Sequence, residues 1–242
     1  MVIALFHAVA VESDTLVKHL SGPVCYEERT GRTTVSGGLG QFKVFCVETG
    51  VGKANAAIAS SLALERYKPD MVISMGIGGA YPEAGLDVGA IAVAQCEIYG
   101  DEGVIVENDF LTLESIGIPL YIKGSVKLFN AFSLDTKLTG QLYDSVSDSF
   151  KNTKTGTFVT VSACTGTRTR ADELTKRYNA ICENMEGAAI AHACTMFGTP
   201  SVEIRGISNI ASDRDKDSWE IEKASQNAQH AVIMFIKSLG LP

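Results

Sequence analysis

The sequence lacks most of the features that would set it apart from ordinary globular proteins. Proline and tryptophan are scarce, with 6 Pro and one Trp in 242 residues, and we find no repeat and no low-complexity run. These absences exclude collagen-like and disordered chains. Hydrophobic residues make up 45% of the chain and charged residues 20%, which is ordinary for a folded protein with a substantial core.

Cysteine is also sparse, and its spacing gives no sign of a metal site. The six cysteines form no Cys-x-x-Cys pair, and the four histidines add no zinc-ligand spacing, so we expect no metal. The apolar N-terminal run has no basic region before it and is too short to span a bilayer, so we interpret it as a first strand rather than a signal. We therefore expect reduced thiols and a cytoplasmic protein.

Positive charge is in deficit along the chain. Lys and Arg number 21 against 28 Asp and Glu, which gives a net charge of −7 at pH 7. Proteins that bind nucleic acid or an anionic membrane generally present a basic surface to their partner. We therefore expect neither nucleic acid nor a membrane among the partners of this protein.

Strand-like and helix-like runs alternate along the whole chain. Short apolar runs predict buried strands at 2–10, 71–75, 88–98, 157–163, 180–185 and 201–208. Helical patterns predict helices at 12–20, 54–67, 134–143, 170–177, 186–197 and at the C-terminus. Residues 24–47 are typical of an antiparallel meander with turns at 31–32 and 37–38. Because no linker interrupts the alternation, we predict a single α/β domain over residues 1–242.

Ligands in such sheets bind beyond the carboxyl ends of the strands, so these ends hold the candidate site residues. The ends are Glu12, Thr49-Gly50, 76–79, Met185-Glu186 and Ser208-Asn209. The glycines at 76–79 lack the third glycine of a dinucleotide fingerprint, and the glycines after Thr49 lack the first glycine of a phosphate loop. We interpret both as turns that need a positive φ, or as free amides that contact a sugar, a phosphate or water.

Polar residues at the remaining ends admit a structural and a functional interpretation. Glu186 begins an apolar helix and is either a helix-dipole partner or a buried acceptor for two sugar hydroxyls. Glu12 has the pattern of a surface acid. Asn209 is either a turn residue or a purine-binding residue, because an amide carries both a donor and an acceptor. The alternating charges of 213–218 predict a solvated loop, with Trp219 as an apolar anchor.

Five segments, in the same order, resemble the nucleoside phosphorylase/nucleosidase superfamily. They are Glu12, 48–56, 76–80, 184–189 and 205–209. The resemblance spans nearly the whole chain and implies an α/β fold with a central mixed twisted β-sheet flanked by helices. It also implies cleavage of the N-ribosidic bond of a small purine nucleoside, no metal or organic cofactor, and a homodimer.

Within the superfamily, the chain is most similar to the futalosine hydrolases of menaquinone biosynthesis. The similarity lies in 99–103, in 160–167, and in Asn209 followed by 213–215 and Trp219. Nucleosidases for methylthioadenosine and adenosylhomocysteine carry Asp in place of Asn209, and a Ser-Gly-Asp run followed by Phe in place of 162–166. The resemblance therefore implies hydrolysis of futalosine to hypoxanthine and dehypoxanthinyl futalosine.

The resemblance also implies roles for individual residues. Glu12 would activate the water, Glu186 would bind the ribose hydroxyls, and Asn209 would face N7 and O6 of hypoxanthine. An amide cannot protonate the leaving base, so either Asn209 acts by hydrogen bonding alone, or Asp213 or Asp215 supplies the proton. The other substrate-binding residues implied are Gly78, Gly79, Thr165, Gly166, Thr167, Asn184, Met185 and Ser208.

Other functions stay open on the sequence. One is a nucleosidase for methylthioadenosine and adenosylhomocysteine. A phosphate-dependent purine nucleoside phosphorylase would share the fold and Asn209, but it needs an arginine-lined phosphate site, for which Arg205 inside a strand is the nearest candidate. A non-catalytic nucleoside-binding module would not need both Glu12 and Glu186. A Ser-His-Asp hydrolase has no support, because the sequence contains no Gly-x-Ser-x-Gly.

Overall fold

The computed structural model describes residues 1–107, 109–213 and 215–240. Its strands are β1 (Val2–His7), β2 (Ser21–Glu27), β3 (Thr33–Leu39), β4 (Phe42–Glu48), β5 (Met71–Ala80), β6 (Ile91–Tyr99), β7 (Gly103–Val106), β8 (Asp109–Thr112), β9 (Tyr121–Lys123), β10 (Val126–Leu128), β11 (Ala131–Ser133), β12 (Lys154–Thr160), β13 (Ala180–Asn184) and β14 (Ser201–Ile210). Its helices are α1 (Asp14–Val17), α2 (Lys53–Tyr67), α3 (Thr136–Val146), α4 (Arg168–Tyr178), α5 (Gly187–Phe197) and α6 (Ile221–Ser238). The predicted domain over 1–242 includes residues 108, 214, 241 and 242, which lie outside the described residues.

The central sheet of the described chain has ten strands and mixed pairing, which confirms the predicted fold class. β1 lies between β4 and β5 and runs parallel to both. β12 lies in the same way between β6 and β13. β2, β3 and β4 form the predicted antiparallel meander. Two parallel groups of strands therefore meet at the antiparallel pair β13–β5, and antiparallel strands lie at both edges.

Part of this sheet closes on itself, which the sequence did not predict. β14 pairs in parallel with β5 and antiparallel with β6. β13 pairs antiparallel with the end of β5, so that β5, β14, β6, β12 and β13 form a ring. The ends of β5, β13 and β14 are therefore brought together at one place.

Helices cover both faces of the sheet. The apolar run of β1 contributes side chains to the core on each face. Ala4 and Phe6 belong to the core formed with α2 and α5, whereas Ile3 and Leu5 belong to the core formed with α3 and α6. Successive side chains of a strand point to opposite faces. A strand covered on both faces is therefore apolar at every position, as the sequence is here.

The chain after β1 differs from the prediction of a helix over 12–20. β1 ends at His7 and is followed by a 3-10 turn at Ala10–Glu12 and by the four-residue α1. The carboxylate of Glu12 accepts hydrogen bonds from the N–H groups of Ala8 and Val9, at 2.8 and 3.2 Å. These local bonds hold Glu12 in the turn, and of the predicted segment the residues Asp14–Val17 are α-helical.

The glycine turn predicted after Thr49 is confirmed, whereas the turn predicted at 37–38 is wrong. Gly50 and Gly52 have φ angles of 83° and 93°, which confirms a turn with positive φ between β4 and α2. Residues 37–38 lie inside β3 and not in a turn, and the chain turns instead at Gly40, whose φ is 59°. Glycine is compatible with both a turn and an extended strand, so adjacent glycines do not by themselves locate a turn.

The prediction that β5 ends before the glycines at 76–79 is wrong, because the strand continues to Ala80. Glycine is needed there for close packing. A Cβ on Gly78 would stand 2.5 Å from Cys182 Sγ and 3.0 Å from the carbonyl oxygen of Glu183. The absence of a side chain lets β13 approach β5, and the ring of strands closes at this contact.

The segment between β6 and β12 contains the two small hairpins β7–β8 and β9–β10, then the edge strand β11 and α3. The buried amide of Asn130 ties this segment to the sheet. Its Nδ2 donates to the carbonyls of Tyr99 and Glu102 at 3.0 and 2.8 Å, and its Oδ1 accepts from the Leu113 N–H. The helix predicted at 134–143 is confirmed as α3, which begins two residues later.

Cys25, Cys46, Cys96, Cys182 and Cys194 are free thiols. Within the described ranges, no helix combines the length and apolar composition needed to cross a membrane. The cytoplasmic location stays a prediction.

Candidate active site

A cavity of about 220 Å³ lies where the carboxyl ends of β5, β13 and β14 meet the turns after β1 and β4. Glu12, Glu186 and Asn209 reach it from three distant parts of the sequence. The other predicted residues in its wall are Gly78, Gly79, Thr165, Asn184, Met185 and Ser208. A larger groove of about 380 Å³ runs between β4 and α2, and none of the predicted residues is among its described lining.

Glu12 is buried, unlike the surface acid that its sequence pattern indicates. Its Oε2 accepts from the N–H groups of Ala8 and Val9, and its Oε1 accepts from the Ile77 N–H at 2.9 Å. A carboxylate offers about four acceptor sites. Three backbone amides therefore fix its orientation and leave room for one further donor, such as a water molecule in the cavity.

Glu186 lies at the N-cap position of α5 and is buried. Its Oε1 accepts from the Gly52 N–H at 2.9 Å, and its Oε2 lies 3.5 Å from Arg205 Nη1. Burial raises the pKa of this carboxyl, while Arg205 and the Gly52 N–H oppose that rise. The amide at the turn after β4 therefore binds a protein carboxylate in this structure.

Side chains other than Glu186 cap the N-terminus of α5. The carboxylate of Glu186 is therefore not used as a cap and can face the cavity. Asn184 Oδ1 accepts from the N–H groups of Glu186 and Gly187, at 2.9 and 2.7 Å. Thr160 Oγ1 accepts from the Ala188 N–H at 2.7 Å. The first amides of a helix need such partners. The side chain of Asn184, predicted to bind substrate, is thus engaged at the helix end.

Arg205 is fully buried among the acids of the site. Its Nε donates to Glu203 at 2.8 Å, and its Nη1 lies 3.5 Å from Glu186. Glu12 is also close, because a Cβ on Gly76 would stand 2.5 Å from Glu12 Oε1 and 2.8 Å from Arg205 Nη1. Burial would lower the pKa of Arg205, but the carboxylates of Glu203, Glu186 and Glu12 raise it overall. The guanidinium therefore stays charged and compensates these acids.

Two more carboxyls, those of Glu97 and Glu203, face each other beside Gly187. A Cβ on Gly187 would stand 2.2 Å from Glu97 Oε1 and 2.5 Å from both oxygens of Glu203. Burial, and then repulsion by Glu203, raises the pKa of Glu97 well above its usual range. Oε2 of Glu203 meets no donor in the described part of the chain unless Glu97 carries a proton. We therefore assign a shared proton to this pair, donated by Glu97.

Asn209 lies near the end of β14, with its amide beside Gly79. Its Oδ1 accepts from Ser208 Oγ at 2.8 Å. Its Nδ2 lies 3.3 Å from the point where a Cβ on Gly79 would stand, and Gly79 lines the cavity. The hydroxyl of Ser208 also lies 3.2 Å from the Gly78 carbonyl. Because Ser208 binds the amide oxygen of Asn209, Nδ2 is the donor that remains available to a ligand.

Sequence reasoning missed Glu183, a buried carboxyl in the same wall. Its Oε1 accepts from the Thr165 N–H at 3.0 Å, and its Oε2 accepts from the hydroxyls of Thr165 and Tyr81. Burial raises the pKa of Glu183, and these hydrogen bonds oppose the rise. The available signal was a charged residue inside an otherwise apolar strand that was predicted to be buried.

The structure does not bring Gly166 and Thr167 to the cavity, although both were predicted to bind substrate. Both are exposed, in the loop between β12 and α4. The Thr167 hydroxyl accepts from the Arg170 N–H at 3.2 Å and so caps α4. Of the predicted loop residues, Thr165 lines the cavity because its bonds to Glu183 draw it inward.

Asp213 and Asp215, the two alternative proton donors, are also exposed and outside the described wall of the cavity. Asp213 Oδ1 accepts from the Arg168 N–H at 3.1 Å, which ties the loop after β14 to the start of α4. Asp215 accepts from the backbone N–H of Asp217. Arg214, part of the same predicted motif, lies outside the described residues.

A second cavity, of about 570 Å³, adjoins the first and shares Val51 and Met185 with it. Met185 is half-buried between the two. Lys53 lines the second cavity, and its Nζ binds the carboxylates of Asp101 and Glu102, each at 2.6 Å. A ligand in the first cavity therefore has space for a substituent on the far side of Met185.

The arrangement of the first cavity suits cleavage of a bond between a sugar and a base. The fixed carboxylate of Glu12 can take a proton from water. The carboxylate of Glu186, beside Arg205, can accept hydrogen bonds from hydroxyl groups, and the amide of Asn209 can donate a hydrogen bond to the base. Among the described residues, no three His, Cys, Asp or Glu side chains converge as metal ligands do.

Known proteins share this fold. Residues 3–239 match the phosphorylase superfamily. Futalosine hydrolase of Thermus thermophilus is 34% identical over 80% of this chain and 81% of that protein. 5'-Methylthioadenosine/S-adenosylhomocysteine nucleosidase of Chromohalobacter salexigens is 28% identical over 98% of this chain and 97% of that one. The structure of the corresponding S. pneumoniae nucleosidase, with the transition-state inhibitor MT-ImmA, matches with a TM-score of 0.85 at 24% identity, covering 99% of this chain and 100% of that one.

Proposed function

The chain belongs to the phosphorylase superfamily and is an N-glycosyl hydrolase of nucleosides, and we propose that its substrate is futalosine. The products are hypoxanthine and dehypoxanthinyl futalosine, and the reaction uses water in place of phosphate. The 34% identity to the Thermus thermophilus futalosine hydrolase supports this choice. The second cavity beyond Met185 supports a nucleoside that carries a large substituent on its sugar.

The orientation of the Asn209 amide is the observation on which the substrate assignment depends. Ser208 Oγ binds the amide oxygen at 2.8 Å, so the amide nitrogen is the group left for the base. Hypoxanthine presents acceptors at both O6 and N7, whereas adenine presents an acceptor at N7 but a donor at its 6-amino group. A donor in the pocket therefore fits a 6-oxopurine better than a 6-aminopurine.

The two carboxylates divide the chemistry at the sugar. Glu12 has one acceptor site left after its three backbone bonds, and it orients and deprotonates the attacking water. Glu186 accepts hydrogen bonds from the ribose hydroxyls. As the bond breaks, the sugar becomes cationic, as in the hydrolysis of O-glycosides. The negative charge of Glu186 stabilises that cation.

The departing base is stabilised by hydrogen bonding in this proposal. Asp213 and Asp215, the alternative proton donors, are exposed, and Asp213 is bonded to the start of α4. Asn209 is in the wall of the cavity and can bind N7 or O6 of hypoxanthine while negative charge develops there. The base then leaves as a hydrogen-bonded anion or takes its proton from water.

The experiment is an assay of the purified protein with futalosine, inosine and methylthioadenosine, each with and without phosphate and with EDTA present. We expect hypoxanthine to be released from futalosine at the highest kcat/KM, at a rate that phosphate and EDTA leave unchanged. Faster cleavage of methylthioadenosine than of futalosine would contradict the substrate. A strict need for phosphate would contradict hydrolysis.

The second candidate is a methylthioadenosine/adenosylhomocysteine nucleosidase. The 28% identity to the Chromohalobacter salexigens enzyme over nearly the full length of both chains favours it. The donor at Asn209 weighs against it, because adenine needs an acceptor opposite its amino group. Phosphorolysis fits less well than either, since the guanidinium of Arg205 is already held by Glu203 and Glu186 and is not free to bind phosphate.

We also propose that the enzyme is a homodimer. The neighbouring helices α2 and α5 expose apolar side chains to the same side of the sheet, namely Ile58, Leu62, Met196 and Phe197. Such a patch is unusual on a monomer and fits a second copy of the chain.

Sedimentation velocity should give twice the monomer mass, and Ile58→Asp should reduce the measured mass to that of a monomer. Ile221→Asp, at an exposed isoleucine on α6, is the control and should leave the dimer intact.

A further inference from the structure

The carboxylate of Glu183 lies in the wall of the cavity but has no part in the mechanism above. Its side chain is 6% exposed, and it comes from β13, one residue before Asn184. An ionisable group buried this deeply is costly unless it has partners. Its partners therefore indicate what it does.

The partners of Glu183 are neutral donors. The Thr165 N–H donates to Oε1 at 3.0 Å, and the Tyr81 hydroxyl donates to Oε2 at 3.2 Å. The Thr165 hydroxyl also donates to Oε2. Burial raises the pKa of Tyr81, so the phenol keeps its proton and continues to donate.

One acceptor position of Glu183 is left for a ligand. A carboxylate has about two acceptor sites on each oxygen. Both sites of Oε2 are taken, whereas Oε1 accepts one bond among the described residues, from Thr165. A ligand that donates to Oε1 would complete the set.

Glu183 and Asn209 approach the cavity at the same point. A Cβ on Gly79 would stand 3.4 Å from Glu183 Cγ and 3.3 Å from Asn209 Nδ2. The glycine leaves this space open, so one planar ligand can meet both side chains. Glu183 and Asn209 pair with Gly79 from the two neighbouring strands, and both line the cavity.

We propose that Glu183 determines specificity for the base, because its Oε1 accepts a hydrogen bond from the N1–H of a 6-oxopurine while Asn209 donates to O6 or N7. The inference rests on the proposed function, in which the base is hypoxanthine. Hypoxanthine has a donor at N1, whereas adenine has a lone pair there that a carboxylate repels. Glu183 would therefore reject 6-aminopurines at a position that Asn209 does not contact.

The test measures binding of free bases to the wild-type protein by calorimetry. Hypoxanthine is compared with 1-methylhypoxanthine, which keeps O6 and N7 but lacks N1–H, and with adenine. We expect hypoxanthine to bind about tenfold or more tightly than either, since hydrogen bonds to charged groups have large effects. In Glu183→Gln the preference for hypoxanthine over 1-methylhypoxanthine should shrink to about threefold, because the charge of the acceptor is lost. Some preference should remain, because the glutamine side chain still hinders the added methyl group.

Two further variants make the result unambiguous. Glu183→Ala removes the carboxyl and makes room for the methyl group, so 1-methylhypoxanthine should then bind at least as tightly as hypoxanthine. Glu173→Gln, which changes an exposed acid on α4, is the control and should keep the wild-type preference. If Glu183→Gln fails to fold, the wild-type measurement and Glu183→Ala still decide.

The outcomes separate this inference from the function on which it rests. Tighter binding of adenine than of hypoxanthine by the wild type would contradict the proposed substrate. A wild type that prefers hypoxanthine but binds 1-methylhypoxanthine equally well would overturn the role of Glu183 alone. The same conclusion would follow if Glu183→Gln kept the full preference, because Glu183 would then serve only to hold Thr165 in place.

Discussion

The sugar end and the base end of the cavity both use buried glutamates, in opposite surroundings. At the sugar end, Glu12 and Glu186 are held by backbone amides and lie beside the charged Arg205. At the base end, Glu183 is held by an amide, a threonine hydroxyl and a phenol, and its neighbour Asn209 is uncharged. The described side chains bonded at the base end include no cation.

This difference suits the two tasks. The cation near the sugar opposes the rise in the pKa of Glu186 that burial causes, and a negative charge there stabilises the positive charge that develops on ribose. At the base, a carboxylate that is held by neutral donors and an uncharged amide distinguish one purine edge from another, with no bonded cation among the described residues that would attract an anion. The same residue type thus acquires two roles through its surroundings.

Glu12→Gln should cause the largest loss of activity. The amide cannot take the proton of the attacking water, so kcat should fall by roughly 10²–10⁴. Affinity for a non-hydrolysable nucleoside analogue should stay near the wild-type value, because Glu12 contacts the water rather than the nucleoside. Steady-state kinetics and calorimetry on the same preparation check both points. Wild-type turnover in this variant would place the base elsewhere.

Glu186→Gln should lower turnover and also weaken binding. It removes a charged acceptor for the ribose hydroxyls, and a hydrogen bond to a charged group contributes about 1.5–3 kcal/mol. We therefore expect Kd for the nucleoside analogue to rise by about tenfold or more. An analogue without the ribose hydroxyls should bind wild type and variant alike. If Kd does not change, Glu186 does not bind the sugar.

The order of elements was largely predictable, because periodicity reflects which faces are covered. The long helices α2, α5 and α6 and the buried strands β1, β5 and β14 were found near their predicted positions. The closure of the ring through β14 was not predicted. Strand pairing depends on contacts between distant residues, and apolar runs carry no information about which neighbour each strand takes.

The candidate site was predictable where a polar residue follows a buried strand. Glu12, Glu186 and Asn209 were found in that way, and all three line the cavity. Glu183 was not predicted, because it lies inside a strand whereas ligand contacts are expected at strand ends. Arg205, also inside a strand, was considered only as a phosphate ligand. Thr167 was misplaced because its role in capping α4 depends on where that helix begins.

Asn209→Asp should change which base is preferred. The carboxylate would repel O6 of hypoxanthine and could accept from the amino group of adenine. A buried mismatch costs about 1–3 kcal/mol, so the ratio of kcat/KM for futalosine over methylthioadenosine should fall by about tenfold. The ratio is the quantity to measure, because general damage to the site lowers both rates. An unchanged ratio would mean that Asn209 only ends the strand.

The smallest effect is expected behind the sugar end, where Glu203→Gln should flatten the pH dependence of stability. Burial raises the pKa of both Glu97 and Glu203 in the folded protein, whereas glutamates in the unfolded chain titrate near 4.3. Between those values the folded protein binds more protons than the unfolded chain. The free energy of unfolding therefore falls as pH rises through that window, by about 1.4 kcal/mol for each pKa unit of difference.

Glu203→Gln removes one of the two acids and leaves the other without its repelling neighbour. The amide oxygen can still accept from Arg205 Nε, and its NH₂ group can donate to Glu97 in place of the shared proton. We therefore expect the free energy of unfolding, measured with urea from pH 5 to 8, to decline less steeply with pH than in the wild type. The exposed variant Glu173→Gln should keep the wild-type slope. If the free energy of unfolding of Glu203→Gln declines as steeply as that of the wild type, the two carboxyls do not share a proton. Arg205 alone would then compensate the negative charges at the sugar end.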